Sequence, residues 1–177
     1  MKNKKIIFIS CLVTLVLLFG GFWGYQELLV KRPVVSMIEK QPGMTLKNID
    51  VYPSDIEIEL EMTRPDQKVF TRKVPDLIRR IQEKNKHRSL HVKWKDRPNE
   101  KLLVAWDQMI FGIREGLETQ KYTEIPETIG KWADKYHLGY GVKMNEDAVY
   151  ILLYDGDHYL TRVMHVKSDQ KGGDNVD

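Results

Sequence analysis

Residues 6–23 carry no charge and are almost wholly apolar, and they stand directly behind Lys2, Lys4 and Lys5. An α-helix rises about 1.5 Å per residue, so such a run reaches roughly 27 Å, close to the hydrocarbon thickness of a bilayer. The run therefore reads as a transmembrane helix over residues 6–24, starting at Ile6. Trp23 and Tyr25, with Phe22, place amphipathic rings at its far interface. The three lysines mark the near side as cytoplasmic by the positive-inside rule, so residues 1–5 belong inside and everything beyond the span belongs outside. Gly20, Gly21 and Gly24 are interleaved with bulky rings rather than forming a small-residue cleavage site, which favours a retained anchor over a cleaved signal.

The only cysteine, Cys11, falls within this run, so the outer domain contains no disulfide and must rely on a packed core. About 140 residues suffice for one such core. The composition resembles exported proteins of Gram-positive-like bacteria, and the expected location is a cell membrane facing the envelope. Of 28 basic and 25 acidic residues, three basic ones precede the span, leaving the outer part formally neutral. Nucleic acid is therefore not an expected partner.

Charge is nonetheless segregated along the chain. Residues 68–97 hold eleven basic residues against three acidic, whereas residues 50–66 hold six acidic against one basic. Two readings follow. The segments either lie apart and make the domain bipolar, or they pair and cancel.

Periodicity divides the rest. Residues 25–48 read as a juxtamembrane stalk or first helix, with a short helix near 34–40 and interruptions at Pro33 and Pro42-Gly43. Residues 55–62 alternate Ile56, Ile58, Leu60 and Met62 with Asp55, Glu57, Glu59 and Glu61, predicting a half-buried strand with an acidic outer side. Arg64-Pro65-Asp66-Gln67 suits a type I turn, after which residues 68–73 are expected to return as a strand. A helix follows Pro75, then a strand of Leu90, Val92 and Trp94. A long helix near 99–119 carries Leu102, Leu103, Trp106, Met109, Ile110, Ile113 and Leu117, and another helix spans about 125–136. Three strands near 140–144, 148–154 and 158–166 form a meander with a hairpin at Asp155-Gly156-Asp157. The tail 167–177 is polar and expected to be disordered. The predicted fold is α+β: one anchor helix, then one small domain over 49–166 with a mixed or antiparallel sheet covered on one face by helices.

No linear motif carries chemistry. His87, His91, His137, His158 and His165 lack metal-ligand spacing, Asp157-His158 falls on a turn, and no nucleophile elbow or phosphate loop is present. Neither a catalytic site nor a cofactor or metal site is expected. Trp94, Trp106 and Trp132 fit core positions, while Tyr140, Tyr150, Tyr154 and Tyr159 are candidates for an exposed face of the terminal sheet. The expected role is a non-catalytic, membrane-anchored interaction or assembly protein. The basic residues Arg79, Arg80, Lys84, Arg88, Lys93 and Lys95 would meet an anionic lipid, a wall polymer or an acidic protein partner, and homo-oligomers are compatible. The alternative is a receptor for a small ligand, or an enzyme, whose site is assembled from scattered residues.

Overall fold

The computed structural model describes residues 2–166, with side chains from residue 9 onward except 22, 23 and 25. Ile6, Trp23 and Tyr25, expected as anchor residues, and the tail 167–177 thus lie outside the described side chains or residues. Helix α1, Lys2–Tyr25, is followed without a break by a π-type turn, Gln26–Lys31, and by α2, Arg32–Glu39. This N-terminal helix is long and apolar enough to cross a membrane. Pro33 does not interrupt it. A proline ring crowds the carbonyl four residues back, here Leu29, and offers it no N–H; the wider π-type turn spanning Leu29 accommodates both effects. The same arrangement recurs before Pro75, whose crowded carbonyl at Thr71 lies within a second π-type turn, Val69–Lys73.

Residues 25–48 are integral to the domain. Val30, Val34 and Ile38 are buried in its core, and Met44–Val51 forms strand β1. β1 pairs antiparallel with β2, Asp55–Met62, whose alternation is realised: Ile56, Ile58, Leu60 and Met62 are all buried. The expected strand at 68–73 is instead a helical turn. Asp66 Oδ1 accepts from the Val69 N–H at 3.0 Å, acting as a helix cap rather than a hairpin residue, and Val69, Phe70 and Thr71 are buried in succession. This turn leads into α3, Val74–Lys84, and β3, Ser89–Trp94, joins β2 in parallel.

Helices α4, Glu100–Glu118, and α5, Glu124–Lys135, pack on each other, and Asn99 caps α4 by accepting from the Leu102 N–H at 3.0 Å. Strands β4, Gly139–Met144, β5, Ala148–Asp155, and β6, His158–His165, form an antiparallel meander. The β5–β6 turn has positive φ only at Gly156, the type II′ pattern. Two three-stranded sheets replace the single sheet expected, one mixed and one antiparallel.

The second sheet is covered on both faces, which corrects the reading of it as an exposed surface. Ala148, Tyr150 and Leu152 join the core built on β1, β2, α2 and α3, while Val149, Ile151 and Leu153 join the core under α4 and α5. Tyr150 and Tyr159 are buried, and Tyr140 and Tyr154 are half-buried. Trp94 packs edge-on against Phe70 with ring centroids 5.2 Å apart, and Trp106 and Trp132 lie half-buried against the second core.

Candidate interaction surfaces

The charge contrast along the chain is partly spent within the first sheet, where Lys93 and Arg97 of the basic run meet Glu57 and Glu61 of the acidic one. Parallel pairing sets β3 beside β2, so Lys93 Nζ meets Glu57 Oε2 at 2.8 Å and His91 Nε2 lies 3.5 Å from Asp55. From β1, Lys47 pairs with Glu61 at 2.5 Å, and Arg97 reaches the same carboxylate at 3.9 Å. The Lys47 ammonium holds the Glu61 carboxyl below its usual range, and the Glu57 carboxylate raises the Lys93 ammonium. Asp155, bonded to Lys101 and Asn99, is lowered as well.

A carboxyl lowered on folding stabilises the protein above its unfolded pKa of about 4, and that contribution is lost as pH falls through the folded value. The full chain in mild detergent should therefore lose thermal stability on acidification below about pH 4. The paired substitutions Glu61→Gln and Asp155→Asn should flatten that loss in a pH series of melting curves.

The six basic candidates fall into separate regions. Arg79 is held by Asp76 at 3.4 Å and Glu83 at 3.0 Å on the outer side of α3, where Arg80 and Lys84 are exposed. Arg88, in the α3–β3 turn, donates from Nε to the Tyr52 carbonyl at 3.1 Å. Lys93 and Lys95 project with the acidic side chains from the outer face of the first sheet. Arg80 and Lys84 have no ion-pair partner among the described residues.

A groove opens between the edge strands β3 and β6, and Arg97, three residues past the end of β3, bridges Tyr159 of β6. Leu90 and Val92 face Val163 and His165 across it, with Arg79, Asp147 and Tyr150 on its walls. Its cavity volume is about 120 Å³, small beside the roughly 300–1,000 Å³ of typical small-molecule sites. His91, His137 and His158 are exposed and are not among its lining residues; His158 Nδ1 lies 3.1 Å from the Arg97 carbonyl oxygen. Asp157 is exposed on the β5–β6 turn. Among the described residues, no three His, Cys, Asp or Glu side chains converge as a metal site would require.

The outer side of α4 is the least expected surface. Leu102, Ala105, Met109 and Ile113 fill the core, but Phe111 is 77% exposed and Leu103 and Val104 more than 40%. Val104 and Phe111 are seven residues apart and so share one helical face. Their signal in the sequence was that apolar residues occupy more of α4 than one buried stripe needs.

No family model matches this chain, and no curated protein or solved structure is significantly similar to it.

Proposed function

We propose that this chain is a single-pass, membrane-anchored interaction protein of a bacterial cell envelope. It is non-catalytic and keeps its domain on the extracytoplasmic surface, with the Lys2, Lys4 and Lys5 side in the cytoplasm. The observation that carries the interaction reading is the outward row on α4 of Leu103, Val104 and Phe111. A phenyl ring left in water forgoes about 25 cal/mol for each Å² it could bury, and exposed apolar clusters on a folded domain commonly mark protein contacts. The partner is accordingly a protein with an apolar patch, a second copy of this chain included.

A photo-crosslinking residue at position 111 should give a discrete adduct in cells, and one at position 157 none. Phe111→Asp should abolish capture from a crosslinker at position 104 while shifting stability by less than about 0.5 kcal/mol. No adduct at position 111, or capture from position 104 unchanged by Phe111→Asp, would remove α4 as the contact.

The groove between β3 and β6 favours a second reading, a small-ligand receptor or an enzyme, because Arg79, Asp147, Tyr150 and His165 meet there beside apolar walls. A metabolite that raised the melting temperature, with the effect lost in His165→Ala, would promote that reading.

A further inference from the structure

The course of the chain places one basic turn at the foot of the domain. Helix α2 carries the chain away from α1, and β1 returns alongside it until Ile49, Asp50 and Val51 lie against Gln26, Glu27 and Lys31. The β1–β2 turn at 52–54 is thereby level with the first residues beyond α1. The α3–β3 turn is fastened to it: Ser89 N donates to the Ser54 carbonyl at 2.8 Å, and Arg88 Nε donates to that of Tyr52 at 3.1 Å. Lys84-Asn85-Lys86-His87-Arg88 contains three cations and no acid. Tyr52 is 48% exposed beside it, and Leu28 and Leu29, at the same end, are exposed apolar side chains.

The acids nearby have other partners. Glu27 is 3.6 Å from Lys31, Asp50 accepts from Asn48 at 2.7 Å, Asp55 is bonded by Ser54 and approached by His91, and Glu83 pairs with Arg79. Asp50 and Asp55 keep their charge beside the neutral Asn48 amide and Ser54 hydroxyl, but the three cations of the turn have no ion-pair partner among the described residues and outnumber them at the end from which the anchor emerges.

We infer that the α3–β3 turn, through Lys84, Lys86 and Arg88 beside Tyr52, is a second membrane contact of the domain, binding the anionic headgroups of the bilayer that α1 enters. The inference rests on α1 being a span, and its occupant follows from height: a patch level with the start of the extramembrane helix faces the headgroup layer. Exposed tyrosine and leucine at that level suit the interface, where each well-placed cation favours an anionic surface about fivefold.

The test uses the full chain in nanodiscs with one fluorophore at a time. Cys11 is the only native cysteine, so Cys11→Ser provides the background for His87→Cys at the foot and for Asp157→Cys at the far end. A label on native Cys11 should be quenched by spin labels on acyl chains; absence of quenching there overturns the span itself and this contact with it. With Cys11 quenched, the label at 87 should be quenched by headgroup spin labels in phosphatidylglycerol discs, and the label at 157 should not. Each cation removed should reduce the docked-to-undocked ratio about fivefold. Lys84→Gln with Lys86→Gln, which leaves the Arg88 bond to Tyr52 intact, should therefore reduce it about 25-fold. Equal quenching at 87 and 157, or quenching at 87 unchanged in phosphatidylcholine discs or in the double variant, would overturn the contact while the span stands.

Discussion

Tyr159→Ala is expected to cost about 3–5 kcal/mol, a large share of the roughly 5–15 kcal/mol that holds a domain of this size together. The side chain is fully buried where the two sheets meet. Its hydroxyl accepts from the Met62 N–H at 3.1 Å at the end of β2 and donates to the Lys95 carbonyl at 2.9 Å just beyond β3. One residue of β6 thus closes both strand ends of the other sheet. Tyr159→Phe keeps the ring and removes the hydroxyl, leaving the buried Met62 N–H without an acceptor, at about 1–3 kcal/mol. Urea denaturation of the full chain in mild detergent separates the two. If Tyr159→Phe cost as much as Tyr159→Ala, the ring would not be filling space as described; if it cost nothing, the hydroxyl would not be closing the strands.

Asp96→Ala should cost about 1–3 kcal/mol, because the buried Thr161 donors lose their acceptor while the released Arg162 side chain, 38% exposed, reaches water. The Asp96 carboxylate accepts from the Thr161 N–H at 3.1 Å, from the Thr161 hydroxyl at 2.5 Å and from Arg162 Nη1 at 2.8 Å. Arg162 in turn lies 5.4 Å from the centre of the Trp106 ring on α4. Removing the carboxylate orphans a buried N–H and releases the cation that ties β6 to the helical layer. Burial pushes the Asp96 carboxyl up from its usual range despite these donors, so its charge is costly as well as useful. A carboxyl raised on folding contributes stability below its unfolded pKa and loses it as pH rises through the folded value. Asp96→Asn, which keeps an acceptor and drops the charge, should therefore cost less than Asp96→Ala at pH 7. It should also remove a term that favours the fold progressively as pH falls through the folded value, so its deficit against the parent should grow as pH falls towards about 4 and stay constant below that.

What the sequence conveyed depended on whether one local period survived through an element. β2 was legible because its alternation is unbroken over eight residues. β1 was not: its apolar residues change from even positions, Met44 and Leu46, to odd ones, Ile49 and Val51, across a bulge between Leu46 and Asn48. Asp66 fits a reverse turn and a helix cap equally well, and Val69-Phe70-Thr71, three residue types common in strands, gives no sign of the helical turn it forms. β5 was recognised as a strand, but its apolar run from Ala148 to Tyr154 already indicated burial on both sides.

The candidate surfaces were harder to read, because they depend on which strands become neighbours. Lys93 and Glu57 are far apart in the chain yet 2.8 Å apart in space, so the runs of opposite charge that looked like two poles meet in part, through Lys93 and Arg97. Arg88 was legible as a cation, but its place beside Tyr52 depends on parallel pairing between β2 and β3. Phe111 was overlooked because periodicity assigns one inward stripe and says little about a second.

The unbroken passage from α1 through the π-type turn into α2 makes this N-terminal helix a spindle rather than a rope. Each residue inserted there would swivel the folded body about 100° around the helix axis and lift it about 1.5 Å. If α1 spans a bilayer as proposed, heading and altitude above it are written into the residue count between Tyr25 and Val34, and a neighbour docking on the Phe111 side would meet it only at one bearing.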